Sequence, residues 1–338
     1  MFSSTNGIPI AGEDPSSIAR LAILSLTRLL ARDPVELAEL LSSCENVGFF
    51  YLDLRDWEAG DAVRKFDETN SIMKEWFEQS VQEKLKTETL SDAHGYKPTG
   101  VQSGVLENSR DGFEVLKISR TAMMAGRPLP QVVLQNLKLF KEFQQSAHYI
   151  LKSLLVCLSD VAGFSEQSER FESYHKDDEQ SKSTLFFLHH PVSEQLEDKT
   201  RMGHNMHTDV GSFTLLMTEQ WGLQVLSPET NSWKYVAPKP GFAVVNVADT
   251  LRFISRRRFR SAMHRVLPHG GKMLRDRYST AYFLRAGDGT VFKDLDGNEV
   301  TADEWFRRKY NSYNQSLQEQ RQQGIATGGI DREIGSEV

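Results

Sequence analysis

The sequence predicts an α+β fold in which a helical first half packs on a β-rich second half that carries the chemistry. Two observations lead there. Up to about residue 182, apolar residues recur at helical spacing: Leu37, Leu40, Leu41 and Cys44 in one stretch, and Leu137, Phe140, Phe143, Ile150, Leu151, Leu154, Leu155 and Leu158 in another. After about Ser183 the period shortens. β-Rich runs follow at 184–190, 213–218, 223–226, 233–236, 242–246, 262–266 and 278–284, separated by Gly, Pro, Asp or Asn turns. Short runs at fairly regular intervals point to an antiparallel sandwich or barrel, not to βαβ units.

The elements follow from local signals. Asp33-Pro34-Val35-Glu36 supplies an N-cap, a first-turn proline and an acid three residues on, so a helix starts there; Gly48 stops it. Phe49 to Leu52 reads as a short buried strand, and a second helical region covers roughly 61–85. The stretch 91–120 is rich in Gly, Ser and Asn and reads as a long loop or irregular hairpin, the kind of segment that often carries function. A long helix is expected over about 130–163. Thr301-Ala302-Asp303-Glu304 is a capping box opening a last helix, with Trp305, Phe306, Tyr310, Tyr313 and Leu317 on one side. The expected division is a helical N-terminal region over 1–182, a catalytic β-core over 183–300, a C-terminal helix over 301–322 and a disordered polar tail over 323–338.

Composition limits the function. The chain has 338 residues, 39% hydrophobic and 25% charged, as an ordinary globular protein does. A formal net charge of -6 argues against nucleic acid as partner. The basic run Arg256-Arg257-Arg258-Phe259-Arg260 reads as a solvated turn. Cys44 and Cys157 are the only cysteines and lie in apolar helical stretches, as buried free thiols. They exclude a disulfide framework and a cysteine-based zinc site. No run of about 18 apolar residues spans a membrane, and the first residues lack the basic-then-apolar pattern of a secretory signal. A cytoplasmic location is therefore expected, with oligomeric state left open.

In His207-Thr208-Asp209, the imidazole and carboxylate stand at i and i+2, which point the same way at a strand end. His264 follows Asp209 by 55 residues within a β-rich run. Two imidazoles and one carboxylate on one face of an ion leave positions open, the arrangement of non-haem Fe(II) oxygenases. By itself, a His-x-Asp pair is equally compatible with a hydrogen-bonding pair, and His204 and His269 flank the two segments. A second constellation favours the metal. Arg277-Tyr278-Ser279 begins the next β-rich run, and Arg277 and Ser279 again share a face. A buried Arg needs a compensating anion, and its fork grips a carboxylate through two parallel bonds. The far carboxylate of 2-oxoglutarate is such a partner. Asp294-Leu295-Asp296-Gly297-Asn298 lacks the Gly and Glu of a calcium loop and reads as a hairpin turn.

These three motifs stand in the order and approximate spacing of the isopenicillin N synthase-like 2-oxoglutarate/Fe(II)-dependent dioxygenases, which the chain resembles from about residue 33 to 285. Gly48-Phe49-Phe50-Tyr51, Trp221-Gly222-Leu223-Gln224-Val225 and Asp249-Thr250-Leu251 resemble the family too. The resemblance implies a double-stranded β-helix, or jelly-roll, core. It implies Fe(II) on His207, Asp209 and His264, 2-oxoglutarate on Arg277 and Ser279, and O2 as second cosubstrate. The implied activity is hydroxylation, desaturation or ring rearrangement of a small organic substrate, and the pattern looks most like fungal members acting on secondary metabolites. One departure concerns the strand before His-x-Asp, where the family commonly has Tyr-Pro. Here His190-Pro191 stands in its place, with Leu188 where many members have Asn. His190 is then either a donor to the cosubstrate or a core histidine. Two rival readings remain at this level: an oxidase that uses Fe(II) and O2 without 2-oxoglutarate, and a non-catalytic binding protein on the same barrel.

Overall fold

The computed structural model describes residues 15–334 apart from 88, 90, 126–127, 193–202 and 268–274, so His269 lies outside the described residues. Fourteen strands are described: β1 (Ile23–Ser25), β2 (Phe49–Asp53), β3 (Gly95–Lys97), β4 (Glu114–Ser119), β5 (Thr184–His190), β6 (His204–His207), β7 (Phe213–Met217), β8 (Leu223–Ser227), β9 (Ser232–Tyr235), β10 (Phe242–Val247), β11 (His264–Val266), β12 (Arg277–Leu284), β13 (Val291–Lys293) and β14 (Glu299–Thr301). They form an eight-stranded sheet in the order β1-β2-β10-β7-β12-β5-β4-β3, a four-stranded sheet in the order β6-β11-β8-β9, and the hairpin β13-β14.

Alternation along the strands sorts side chains between two faces. Leu185 and Phe187 of β5, with Tyr282 and Leu284 of β12, face a core shared with the helices Pro34–Asn46, Asp61–Phe77 and Leu137–Ala162. Phe186 of β5 and Ala281 of β12 face the other way, toward the C-terminal helix Ala302–Ser312. Phe49, Tyr51 and Val244 of the large sheet meet Leu223 and Val225 of the small one in a further apolar cluster. The jelly-roll is thus a large sheet covered by helices on one side, with the small sheet and the site on the other.

The local starts behave as their chemistry dictates. Asp33 accepts from the amides of Val35 and Glu36 at 2.9 and 3.1 Å, and Thr301 and Glu304 cap each other reciprocally. Three expectations need correcting and one is resolved. The boundary at 182/183 divides nothing, because β1 to β4 of the N-terminal region are half of the large sheet. The stretch 91–120 takes the hairpin form of its two readings, with antiparallel β3 and β4 making the edge of that sheet. The long helix is interrupted at Asn136, whose side-chain amide donates to the Val132 carbonyl at 3.0 Å and closes off the short helix Gln131–Gln135. The C-terminal helix is two, Ala302–Ser312 and Leu317–Gln323, the second restarted by a Ser316–Glu319 capping box.

The expected disordered tail is ordered through residue 334. Ala326, Thr327 and Ile330 are buried. The Ala326 carbonyl accepts from the Thr208 amide at 3.0 Å and the Gly328 carbonyl from Arg252 at 2.7 Å. Backbone hydrogen bonds to the barrel supply order that a polar, glycine-rich composition does not announce.

Candidate metal centre

His207 ends β6 and His264 begins β11, and the two are register partners across the small sheet. Their rings lie 4.3 Å apart, centroid to centroid. Asp209 follows in a loop held by its own backbone: its carbonyl accepts from the Asp249 amide at 2.9 Å. Asp209 Oδ1 lies 3.6 Å from Nε2 of His207 and 3.6 Å from Nε2 of His264. All three residues are buried, and one ligand atom from each falls within 4.8 Å of the others.

The remaining atoms of the three side chains are committed elsewhere. His207 Nδ1 donates to the Asn205 carbonyl at 2.8 Å and His264 Nδ1 to the Ala262 carbonyl at 3.2 Å. Each Nε2 therefore carries the lone pair, the tautomer a metal ligand requires. Asp209 Oδ2 accepts from Thr214 Oγ1 at 2.7 Å and from the Asn246 amide at 2.8 Å, leaving Oδ1 open. Burial pulls the Asp209 carboxyl up, but His264, His207 and the Asn246 amide outweigh it and hold it well below the usual range. Burial, with His207 nearby, pushes His264 down to about 4, so its imidazole is neutral at neutral pH. The donor set fits a divalent iron.

Behind the loop, Lys309 of the C-terminal helix is fully buried, paired with Asp249 and bonded to Thr208 Oγ1 at 2.6 Å. Ser261 donates to the other Asp249 oxygen at 3.1 Å. At Gly328 (φ +59), an added Cβ would lie 2.5 Å from that oxygen, so the tail closes on Asp249 only with glycine there.

Arg277 and Ser279 do share the interior face. Both are 3% exposed. Arg277 donates through Nε to the Trp221 carbonyl at 3.1 Å and through Nη1 to Ser279 Oγ at 3.2 Å, while Nη2 has no partner among the described residues. Gly222 (φ +129) lets the chain pass this guanidinium, since a Cβ would sit 3.2 Å from its Nε. Burial pushes Arg277 down to about 10, still charged at neutral pH, and it makes no ion pair among the described residues. Opposite it in register stands His190, fully buried, with neither ring nitrogen partnered among the described residues. Burial and the Arg277 charge keep this imidazole neutral. A guanidinium without an ion-pair partner beside such an imidazole fits one carboxylate of a dicarboxylate.

The space in front of His207 and Asp209 is lined by Val115, Phe186, Leu188, Phe283, Tyr310 and Tyr313 among others. Leu188 makes that wall apolar, and Tyr310 and Tyr313 bring the C-terminal helix over the mouth. Phe113 lines it too, while His94 turns away, held by the Ser119 amide and the Pro128 carbonyl. His204 stacks on His207 at 4.2 Å and is not part of the ligand cluster. The sequence reading missed Thr214, Asn246, Lys309, Lys117 and Arg285. The first two had a signal: each is a polar residue between apolar neighbours on a core strand.

Two stretches match known families: residues 182–286 the 2OG-Fe(II) oxygenase superfamily, and residues 21–130 the family described as non-haem dioxygenase in morphine synthesis N-terminal. The 2-oxoglutarate-dependent dioxygenase FG08081 of Gibberella zeae is 47% identical over 316 residues, covering 94% of this chain and 94% of its own length. The 2-oxoglutarate-dependent dioxygenase gloE of Glarea lozoyensis is 40% identical over 313 residues, covering 92% and 93%. A full-length Neurospora crassa protein solved in complex with alpha-KG superposes with a TM-score of 0.71 at 19% identity, over 88% of this chain and 98% of that one. The chain belongs to the 2-oxoglutarate/Fe(II)-dependent dioxygenases, a family of oxidoreductases that use Fe(II) and 2-oxoglutarate. Among the described residues no helix is long and apolar enough to cross a membrane.

Proposed function

We propose that His207, Asp209 and His264 hold the iron, that Arg277 and Ser279 hold the far carboxylate of 2-oxoglutarate, and that the enzyme oxidises a small organic molecule of secondary metabolism. The observation that carries this is the pair of open buried atoms, Asp209 Oδ1 and Arg277 Nη2, the second with the unpartnered His190 imidazole beside it. Bound iron with 2-oxoglutarate and O2 supplies the oxidising power, releasing succinate and CO2 and leaving a hydroxylated, desaturated or rearranged substrate.

The chain's own part is binding and exclusion. Thr214 and Asn246 fix which Asp209 oxygen faces the metal. The Asn205 and Ala262 carbonyls fix the two imidazole tautomers. Arg277 and Ser279 orient the cosubstrate, and His190 stands beside Arg277 where a second polar contact to it would form. Leu188, Phe186 and Phe283 keep water from the reacting face. The names of the two relatives favour this reading over the oxidase that dispenses with 2-oxoglutarate, and a binding module would have no use for an open ligand oxygen.

The test is optical. Protein loaded with Fe(II) and 2-oxoglutarate without oxygen should show a visible charge-transfer band, which His207→Ala abolishes and Arg277→Gln weakens at limiting 2-oxoglutarate. Absence of the band at saturation would refute the assignment. Succinate release across terpenoid, polyketide, alkaloid and peptide candidates, with mass spectrometry of each product, then finds the substrate.

A further inference from the structure

The pocket holds two cations for which the iron and 2-oxoglutarate have no use. On β4, Leu116 and Ile118 pack toward the helices, so Lys117 points to the site face, where it lines the pocket. Its side chain is buried, at 7% exposure. Among the described residues its one hydrogen bond goes to the Asp92 carbonyl at 2.9 Å, and it makes no ion pair. Its ammonium otherwise faces the rings of Tyr310 and Phe186, 5.3 and 5.8 Å from their centroids. Arg285, just past the end of β12, is 4% exposed and also lines the pocket. It donates to the Val210 and Lys182 carbonyls and to Thr184 Oγ1. Among the described residues no carboxylate pairs with it either.

The contrast with the other buried lysines is informative. Lys97, in the same pocket, is matched by Asp111, Lys84 by Glu114 and Lys309 by Asp249. Asp209, the carboxylate lining that wall, is committed to the ligand cluster. The exposed Asp92 carboxylate adds some field without forming an ion pair. Holding an ammonium out of water against one neutral acceptor and that solvent-screened charge is unfavourable unless something else brings negative charge. Burial pushes Lys117 down to about 8, which still leaves it charged at neutral pH.

We propose that the substrate is an organic acid whose carboxylate pairs with Lys117, with Arg285 adding positive field behind it and the apolar body lying against Phe186, Phe283 and Tyr310. This rests on the iron and 2-oxoglutarate assignment above, which places the reacting face at His207 and Asp209. The acid end then lies on β4, across the pocket from the metal ligands. That fixes the orientation in which a carbon of the body is offered for oxidation. Lys117 is a substrate-binding residue in this scheme and plays no part in holding the cosubstrate.

The experiment uses full-length enzyme with Fe(II) and 2-oxoglutarate under anaerobic conditions. Matched probes are benzoate and benzamide, cinnamate and cinnamamide, hexanoate and hexanamide. Binding is read by calorimetry and by perturbation of the charge-transfer band. In at least one pair the acid should bind about 30-fold tighter than the amide, the scale of one charge-assisted hydrogen bond. Lys117→Met should abolish that preference and Lys117→Arg retain it, with 2-oxoglutarate affinity unchanged in both. An acid preference below about threefold in every pair would overturn the proposal. So would a preference that survives Lys117→Met, or a loss of 2-oxoglutarate affinity in that variant. A wild-type protein without the band indicts the iron and 2-oxoglutarate assignment instead, and calorimetry of the same pairs still decides the acid preference.

Discussion

Thr214 of β7 and Asn246 of β10 are register partners on adjacent strands, and both donate to the same oxygen, Oδ2 of Asp209. Two donors on one oxygen leave the carboxylate a single way to face a metal. Asn246→Ala should therefore weaken iron affinity about 10- to 100-fold while the fold survives, as loss of such supporting contacts commonly does. Titration of Fe(II) into the 2-oxoglutarate complex, followed by the visible band, measures this. Unchanged affinity would show the Asn246 contact to be incidental. Removing the metal with a chelator should lower the melting temperature of wild-type protein more than that of the variant.

Arg277→Lys keeps the charge and loses the fork. Lysine can reach Ser279 or the Trp221 carbonyl but cannot present a planar pair of donors to a carboxylate. The Kd for 2-oxoglutarate should rise about tenfold or more, and Arg277→Gln should raise it further, with iron content unaffected. Isothermal titration on metal-loaded protein separates the two quantities. A parallel fall in iron content would move Arg277 from cosubstrate binding to a structural role.

His175 gives a pH signature distinct from the active site. Its Nδ1 donates to the Phe171 carbonyl at 2.8 Å and its Nε2 accepts from Ser212 at 2.7 Å. Burial pushes it down to about 3 from the ordinary 6.5. Above 6.5 it is neutral in both folded and unfolded chains and contributes no pH dependence. Below 6.5 the unfolded chain takes up a proton that the folded one refuses, so stability falls as the pH drops toward 3. At pH 5 the loss from this group is about 2 kcal/mol. By denaturant titration, the stability lost between pH 7 and pH 5 should be about 2 kcal/mol larger for wild type than for His175→Gln, and equal losses would exclude the effect.

Lys309 and Asp249 form an ion pair with no solvent exposure on either side chain. Lys309→Met leaves Asp249 charged and buried, with Ser261 as its remaining side-chain donor, which should cost about 3–5 kcal/mol. Adding Asp249→Asn to that variant removes the stranded charge and should recover part of the loss, a coupling that a double-mutant cycle in guanidinium reads directly. Strict additivity would mean that the pair is not the source of the effect.

The parts of the site legible in the sequence are those in which side-chain chemistry and strand spacing coincide. His207 with Asp209, at the end of β6 and just past it, and Arg277 with Ser279, on β12, stand two apart and carry unmistakable chemistry. The β4 strand was not legible as a strand. Glu114 and Lys117 are charged, yet both are buried, one beside Lys84 and Tyr96 and the other over aromatic rings, so no apolar alternation remains to be read. The tail from 324 onward hid for another reason. Its grip on the barrel runs through the carbonyls of Ala326 and Gly328, atoms every residue has, and only the glycine at 328 hints that something lies close.

The grip of that tail also sets an order of events during synthesis. The Thr208 amide finds its partner at Ala326, and Asp249 closes against Gly328, more than a hundred residues downstream of Asp209. At roughly 5–20 residues per second, the ribosome makes that partner on the order of ten seconds later. Through this interval the emerging barrel has His207 and Asp209, gains His264 only 55 residues on, and has no back wall behind them. With iron held as proposed, a nascent chain stalled before residue 326 should release it readily.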